Sequence, residues 1–147
     1  MIAQGEKELV ETLHSTTRLV KGFLQTVDNG RNHAICIDQP PDDGTDLGPT
    51  ALELCVMGYG GCVATISLLI ARNSKVTIRD LEVKVDALKP GEEGTITETY
   101  LQIRVVTDAP EDKIRRIVEM AIRTCPVGKL FVKAGVKETH IITVEKE

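Results

Sequence analysis

The sequence predicts an α+β fold. Three features carry that prediction: two long alternating segments separated by a turn, a sharply bounded amphipathic helix after them, and a long uncharged helix before them. Strands and helices come in blocks, not in strict alternation, which separates this pattern from a doubly wound sheet. At 147 residues the chain reads as one domain, near the size at which a second subunit adds useful burial.

Taken in order, EKELVETL is expected as a short amphipathic helix inside an N-terminal extension, residues 1–14. HSTTRLVKGFLQTV and HAICID are expected as two strands joined at DNGRN, where Asn29-Gly30 is a hairpin signal. QPPDDGTDLGP, residues 39–49, is too rich in Pro, Gly and Asp for regular structure and reads as a loop suited to act as a lid. Thr50 and Glu53 fit a T-x-x-E capping box, so a helix starts near residue 50. VTIRDLEVKVDALK and ITETYLQIRVV alternate, with Leu81, Val83, Val85, Ala87 and Leu101, Ile103, Val105 as their buried faces and PGEEG as the hairpin loop between them. APEDKIRRIVEMAIRT is expected as a helix opened by Asp108 and Glu111, with Pro110 in its first turn and Ile114, Ile117, Val118, Ala121 and Ile122 on one face. Pro126 should stop it near Thr124. GKLFVKAG adds one or two turns, and ETHIITVEK closes the chain as a strand.

From Leu54 to Ala71 eighteen residues carry no charge, long enough for a membrane span. Gly58, Gly60, Gly61, Thr65 and Ser67, together with the alternation elsewhere, favour a buried core helix instead. A helix apolar all round must be covered all round, and so short a chain predicts a dimer to do it. Each of the three glycines weakens a helix by roughly 1 kcal/mol relative to Ala, so close approach of another backbone is expected there. A local kink is the alternative.

Net charge and composition exclude several partners. A charge of -4 disfavours phosphate backbones and anionic membranes. With two Tyr, two Phe and no Trp there is no set of stacking platforms for single-stranded nucleic acid. The segment MIAQGEKELVETLHS carries acids and has no unbroken apolar stretch, so no secretory signal is expected and the location is expected to be cytoplasmic. Cys36, Cys55, Cys62 and Cys125, with His14, His33 and His140, form neither a CxxC pair nor a zinc spacing, so neither a disulfide scaffold nor a metal site is expected.

Cys55 and Cys62 share a helix face but stand about 10 Å apart along its axis, beyond disulfide reach. Any partner for Cys62 comes from elsewhere in sequence, and Cys125 is the best candidate. A helix ends there and another can begin at Pro126, leaving the thiol near free N–H groups and a positive dipole end that favour thiolate. Cys62, among apolar neighbours, would be held protonated without a cation against it. Taken singly, each cysteine reads more readily as a buried hydrophobe. Residue chemistry stops at a possible dithiol.

GPTALELCVMGYGGC, followed about sixty residues later by CPVGKLF, resembles the osmotically inducible protein C and organic hydroperoxide resistance (OsmC/Ohr) superfamily, from about Arg18 to Val144. The ELxxxxxGGC form is closer to its OsmC-like branch. The resemblance implies an intertwined α+β homodimer, with antiparallel β-sheets around two long central helices and two active sites at the subunit interface. It implies Cys62 as the peroxidatic thiolate and Cys125 as the resolving thiol that closes a Cys62–Cys125 disulfide. It also implies a glutamate upstream of the first cysteine, for which Glu53 is the nearest match at a spacing one residue short, and an N-terminal arginine, for which Arg18 is preferred over Lys21 or Arg31. The capping box explains Glu53 equally well. Organic hydroperoxide as substrate, a dithiol such as dihydrolipoamide as reductant, and no metal or prosthetic group complete what the resemblance implies. A non-catalytic OsmC-like binding protein or thiol redox sensor is the rival reading, and a structural dimer with inert cysteines is the third.

Overall fold

A computed structural model describes residues 10–147 of the chain. They form two compact units, divided between Leu52 and Glu53.

The N-terminal unit is an antiparallel sheet of β1 (Thr16–Lys21), β2 (Leu24–Asp28) and β3 (Ala34–Ile37), paired in that order. The single strand expected across HSTTRLVKGFLQTV is two strands. Gly22, at φ +59°, reverses the chain there so that Lys21 pairs with Leu24, a backbone conformation that glycine adopts without steric cost. The turn expected at DNGRN does join β2 to β3, closed by the Asn29 N–H donating to the His33 carbonyl at 3.1 Å. The helix expected over EKELVETL lies partly outside the described residues, and residues 10–13 take no regular structure.

Loop 39–49 is organised by one side chain. Asp38 is buried, and its carboxylate accepts from the N–H groups of Gln39 (2.8 Å), Thr45 (3.1 Å) and Leu47 (3.3 Å) and from the Thr45 hydroxyl (2.6 Å). The Thr45 hydroxyl bond is the main reason that its pKa lies below the ordinary carboxylate value. A depressed folded pKa stabilises the loop above the ordinary value, near 3.8, and that contribution is lost as pH falls through the folded value. Amide protection at Thr45 and Leu47 should therefore collapse below about pH 4 in hydrogen exchange, and Asp38→Asn should remove the transition.

In the C-terminal unit β4 (Asp80–Leu88) pairs antiparallel with β5 (Glu98–Val106), and β6 (Lys137–Glu145) pairs with β5 in parallel. This sheet is mixed, not wholly antiparallel. A parallel neighbour needs a crossover, here α2 (Glu111–Thr124) and α3 (Pro126–Lys133). Helix α1 (Ala51–Asn73) runs unbroken through the glycines. The core joins Tyr59, Val63 and Ala71 of α1 to Leu101, Ile103 and Val105 of β5, Ile114, Ile117, Val118 and Ile122 of α2, and Ile142 of β6.

Asp108 does not cap α2. Pro110 occupies the capping position with no side-chain bond, and Asp108 instead pairs with Arg79. The three glycines of α1 separate by role. A Cβ on Gly60 would touch Val85 Cγ2 of β4 at 3.4 Å, a close but ordinary contact, whereas Gly58 and Gly61 have nothing within 4 Å among the described residues. Helix α1 is long and apolar enough to cross a membrane, and only 22% of its most apolar window is buried within the chain. Met57, Leu68 and Leu69 stay exposed along it.

Candidate active site

Cys125 is the joint between two helices. Its N–H donates to the Ala121 carbonyl at 2.8 Å, ending α2, and its carbonyl accepts from Lys129 N–H at 2.9 Å, beginning α3. Pro126 makes the joint, because it cannot donate into α2 and its fixed φ suits the first position of α3. The buried Cys125 Sγ accepts the Gly128 N–H at 3.3 Å.

Cys62, partly buried on α1, packs against the core cluster that contains Cys125, close enough for the two thiols to influence each other. Burial pushes the Cys125 thiol up to about 11; Cys62 pushes the same way, and the N–H groups of Gly128 and Val127 pull it back only in part. A position between two helices therefore does not make Cys125 a resting thiolate: desolvation outweighs the helix end.

Tyr59 stands one helical turn before Cys62. Its buried ring stacks on Phe131 of α3, centroids 5.1 Å apart, and a Cβ on Gly128 would lie 2.9 Å from its Cε2. Burial, then the negative charge of Glu138 and the two cysteines, pushes its phenol up to about 12. Tyr59 and Gly128 also line a largely apolar cavity of about 340 Å³, shared with Ile122, Val132, Arg123 and Glu138. The sequence reading missed Tyr59 and Gly128. Its available signal was that two of only four aromatics, Tyr59 and Phe131, fall inside the two cysteine motifs.

Glu53 lies in the first turn of α1, nine residues before Cys62. At about 100° and 1.5 Å per residue, a continuous helix sets the two on opposite faces, about 13 Å apart along the axis. One chain does not bring them together. Arg18 belongs to the N-terminal unit, where its guanidinium meets the Asp28 carboxylate at 2.5 Å and holds that carboxyl below its ordinary pKa. Lys21 ends β1, and Arg31 sits in the turn between β2 and β3.

Cys62 on a long helix, set against Cys125 at a helix junction in a two-sheet α+β chain, makes a candidate site of two thiols. Residues 43–140 match the family model of the OsmC-like proteins, well over half of the chain, and the chain belongs to that family. Solved structures agree in fold. An OsmC-like protein from Mycoplasma pneumoniae superposes with a TM-score of 0.76 at 17% identity, covering 94% of this chain and 99% of its own. The organic hydroperoxide resistance protein OsmC of Legionella pneumophila gives 0.71 at 15% identity, over 93% and 100%. An organic hydroperoxide resistance protein from Elizabethkingia anophelis gives 0.69 at 17%, over 95% and 99%. Among curated proteins none matches the sequence.

Proposed function

We propose that this protein is a thiol-dependent peroxidase that reduces organic hydroperoxides, acting as a homodimer in the cytoplasm. The observation that carries the reading is the meeting of the Cys62 and Cys125 thiols, 63 positions apart in sequence, inside one core. In this reaction the Cys62 thiolate attacks the outer peroxide oxygen and the O–O bond breaks. The alkoxide leaves and takes up a proton as alcohol, and Cys62 becomes a sulfenic acid. The Cys125 sulfur then attacks Cys62, the S–O bond breaks, and hydroxide leaves with the Cys125 proton as water. A dithiol such as dihydrolipoamide reduces the disulfide and is itself oxidised to its cyclic disulfide.

The uncovered apolar face of α1 supports both the organic substrate and the dimer. Glu53 fits the same picture if it reaches Cys62 from the second chain, since its own helix turns it away. Arg18 is the proposed cation for the thiolate, with Lys21 and Arg31 as the alternatives; Arg18→Ala should slow Cys62 alkylation at neutral pH severalfold. The rival reading is a redox sensor, in which a Cys62–Cys125 disulfide forms with peroxide but is not reduced catalytically.

Cys125→Ser separates the steps. It should consume one equivalent of cumene hydroperoxide per chain and stop, with a sulfenic acid on Cys62 that dimedone traps. Sustained turnover by this variant would remove Cys125 from the mechanism.

A further inference from the structure

We infer that Tyr59 is a positioning residue for disulfide closure: its ring, gripped by Gly128 and Phe131 of α3, holds Cys125 against Cys62. This deepens the peroxidase reading and rests on it for the use made of the disulfide.

The two sulfurs ride on different helices, so their approach is set by how α3 docks on α1. Helix α3 is short, eight residues, and it joins α2 through Cys125 itself. Its Leu130 and Val132 point to solvent, 66% and 65% exposed, so they do not hold it. Its residues turned to the core are Val127, Gly128 and Phe131, and the last two, three residues apart, share one face of the helix. Both meet the ring of Tyr59, the first closely enough that a Cβ would fall at 2.9 Å from Cε2 and the second by stacking at 5.1 Å. Gly128 is also the residue whose N–H holds Cys125 Sγ at 3.3 Å. The ring thus bears on the group that carries the sulfur, from a point one turn away from Cys62 on α1.

Placement matters in this step because attack at sulfur needs an approach in line with the departing oxygen, and the closed bond requires a narrow range of Cα separations. A shift of about 1 Å at a reacting atom can cost on the order of 100-fold in rate. As the Cys125 proton leaves, the Gly128 N–H remains in place to receive the developing negative charge. Glycine at 128 follows from the ring: any side chain would push α3 off Tyr59 and carry the sulfur with it.

The test is the rate of Cys62–Cys125 disulfide formation, followed by mass spectrometry of peptides from the full-length protein, with diamide and separately with cumene hydroperoxide as oxidant. Diamide takes the two electrons and two protons of the thiol pair directly, so closure is read without any peroxidase activity. Tyr59→Leu and Gly128→Ala should each slow closure at least about tenfold with either oxidant. Tyr59→Phe, which keeps the ring, should restore closure to within about twofold of wild type. Sulfenic acid formation on Cys62, measured with each change placed in Cys125→Ser, should stay unchanged.

Closure at the wild-type rate in natively folded Tyr59→Leu or Gly128→Ala would overturn the inference. So would equal slowing in Tyr59→Phe, since the hydroxyl and not the ring would then be responsible. Gly128→Ala keeps the core side chains, so the test stands even where Tyr59→Leu fails to fold. If diamide closure depends on the ring but the wild type consumes no peroxide, the positioning role stands and the peroxidase reading falls.

Discussion

Cys62→Ser should reduce organic hydroperoxide consumption to the uncatalysed background, a loss of at least about 1,000-fold, as expected when a covalent nucleophile is removed. The reason lies in the atom, not in packing. Serine is nearly isosteric, but an alcohol does not ionise near neutral pH and its oxygen does not displace alkoxide from a peroxide. The change is expected to leave the fold intact, since Cys62 is only partly buried at the margin of the core. Cys55, on the same helix but about 10 Å away along the axis, is exposed, as is Cys36, and replacing either with serine should leave consumption in place. Equal consumption by wild type and Cys62→Ser would sink the mechanism.

Gly48→Ala should destabilise the fold strongly, by about 3 kcal/mol. An added Cβ would lie 2.4 Å from the Cys36 carbonyl oxygen, 2.7 Å from its carbon and 3.2 Å from Ile37 N. All three are backbone atoms of β3 or its end, so no side chain can rotate away. Relief must come from moving the end of β3 or the closing turn, where Asp38 N–H donates to the Pro49 carbonyl at 3.1 Å. Urea unfolding followed by far-UV circular dichroism should show a lower midpoint with an unchanged slope. Gly58→Ala is the control: nothing among the described residues lies within 4 Å of an added Cβ, and alanine favours helix by roughly 1 kcal/mol. A Gly58→Ala protein that loses stability only at concentrations where the wild type self-associates would place this face at a contact between chains.

The elements that were legible in the sequence are those whose signal is local. The period-two alternation of Leu81, Val83 and Val85 against Leu101, Ile103 and Val105 places those residues on the inner face of the sheet. Pro126 ends α2 at Thr124, as a proline should. What escaped depends on distant partners or on direction. The apolar residues Leu19, Val20, Phe23 and Leu24 run on through Gly22, and so hid the turn that splits the first strand. The Asp108 carboxylate is taken by Arg79, 29 residues away, so a pattern that reads as a cap becomes an ion pair. No periodicity records that β6 runs parallel to β5, because strand direction is set by the crossover, not by side-chain alternation.

The site divides in the same way. Spacing excluded a Cys55–Cys62 bridge, but only the folded chain sets Cys125 beside Cys62 and shows that burial, not the helix end, dominates the Cys125 thiol. Tyr59 has no local meaning in GYGGC. Its role emerges only when Phe131 and Gly128, both from the second motif, close around its ring.

The most direct measurement of the central claim is steady-state consumption of cumene hydroperoxide by the full-length protein with dihydrolipoamide in excess, with hydrogen peroxide run in parallel. Many turnovers per chain, faster with the organic peroxide and dependent on both Cys62 and Cys125, are the predicted result. Consumption that stops at one equivalent per chain or fewer while both thiols still react with iodoacetamide would contradict turnover, and would leave a protein that senses or binds rather than one that catalyses.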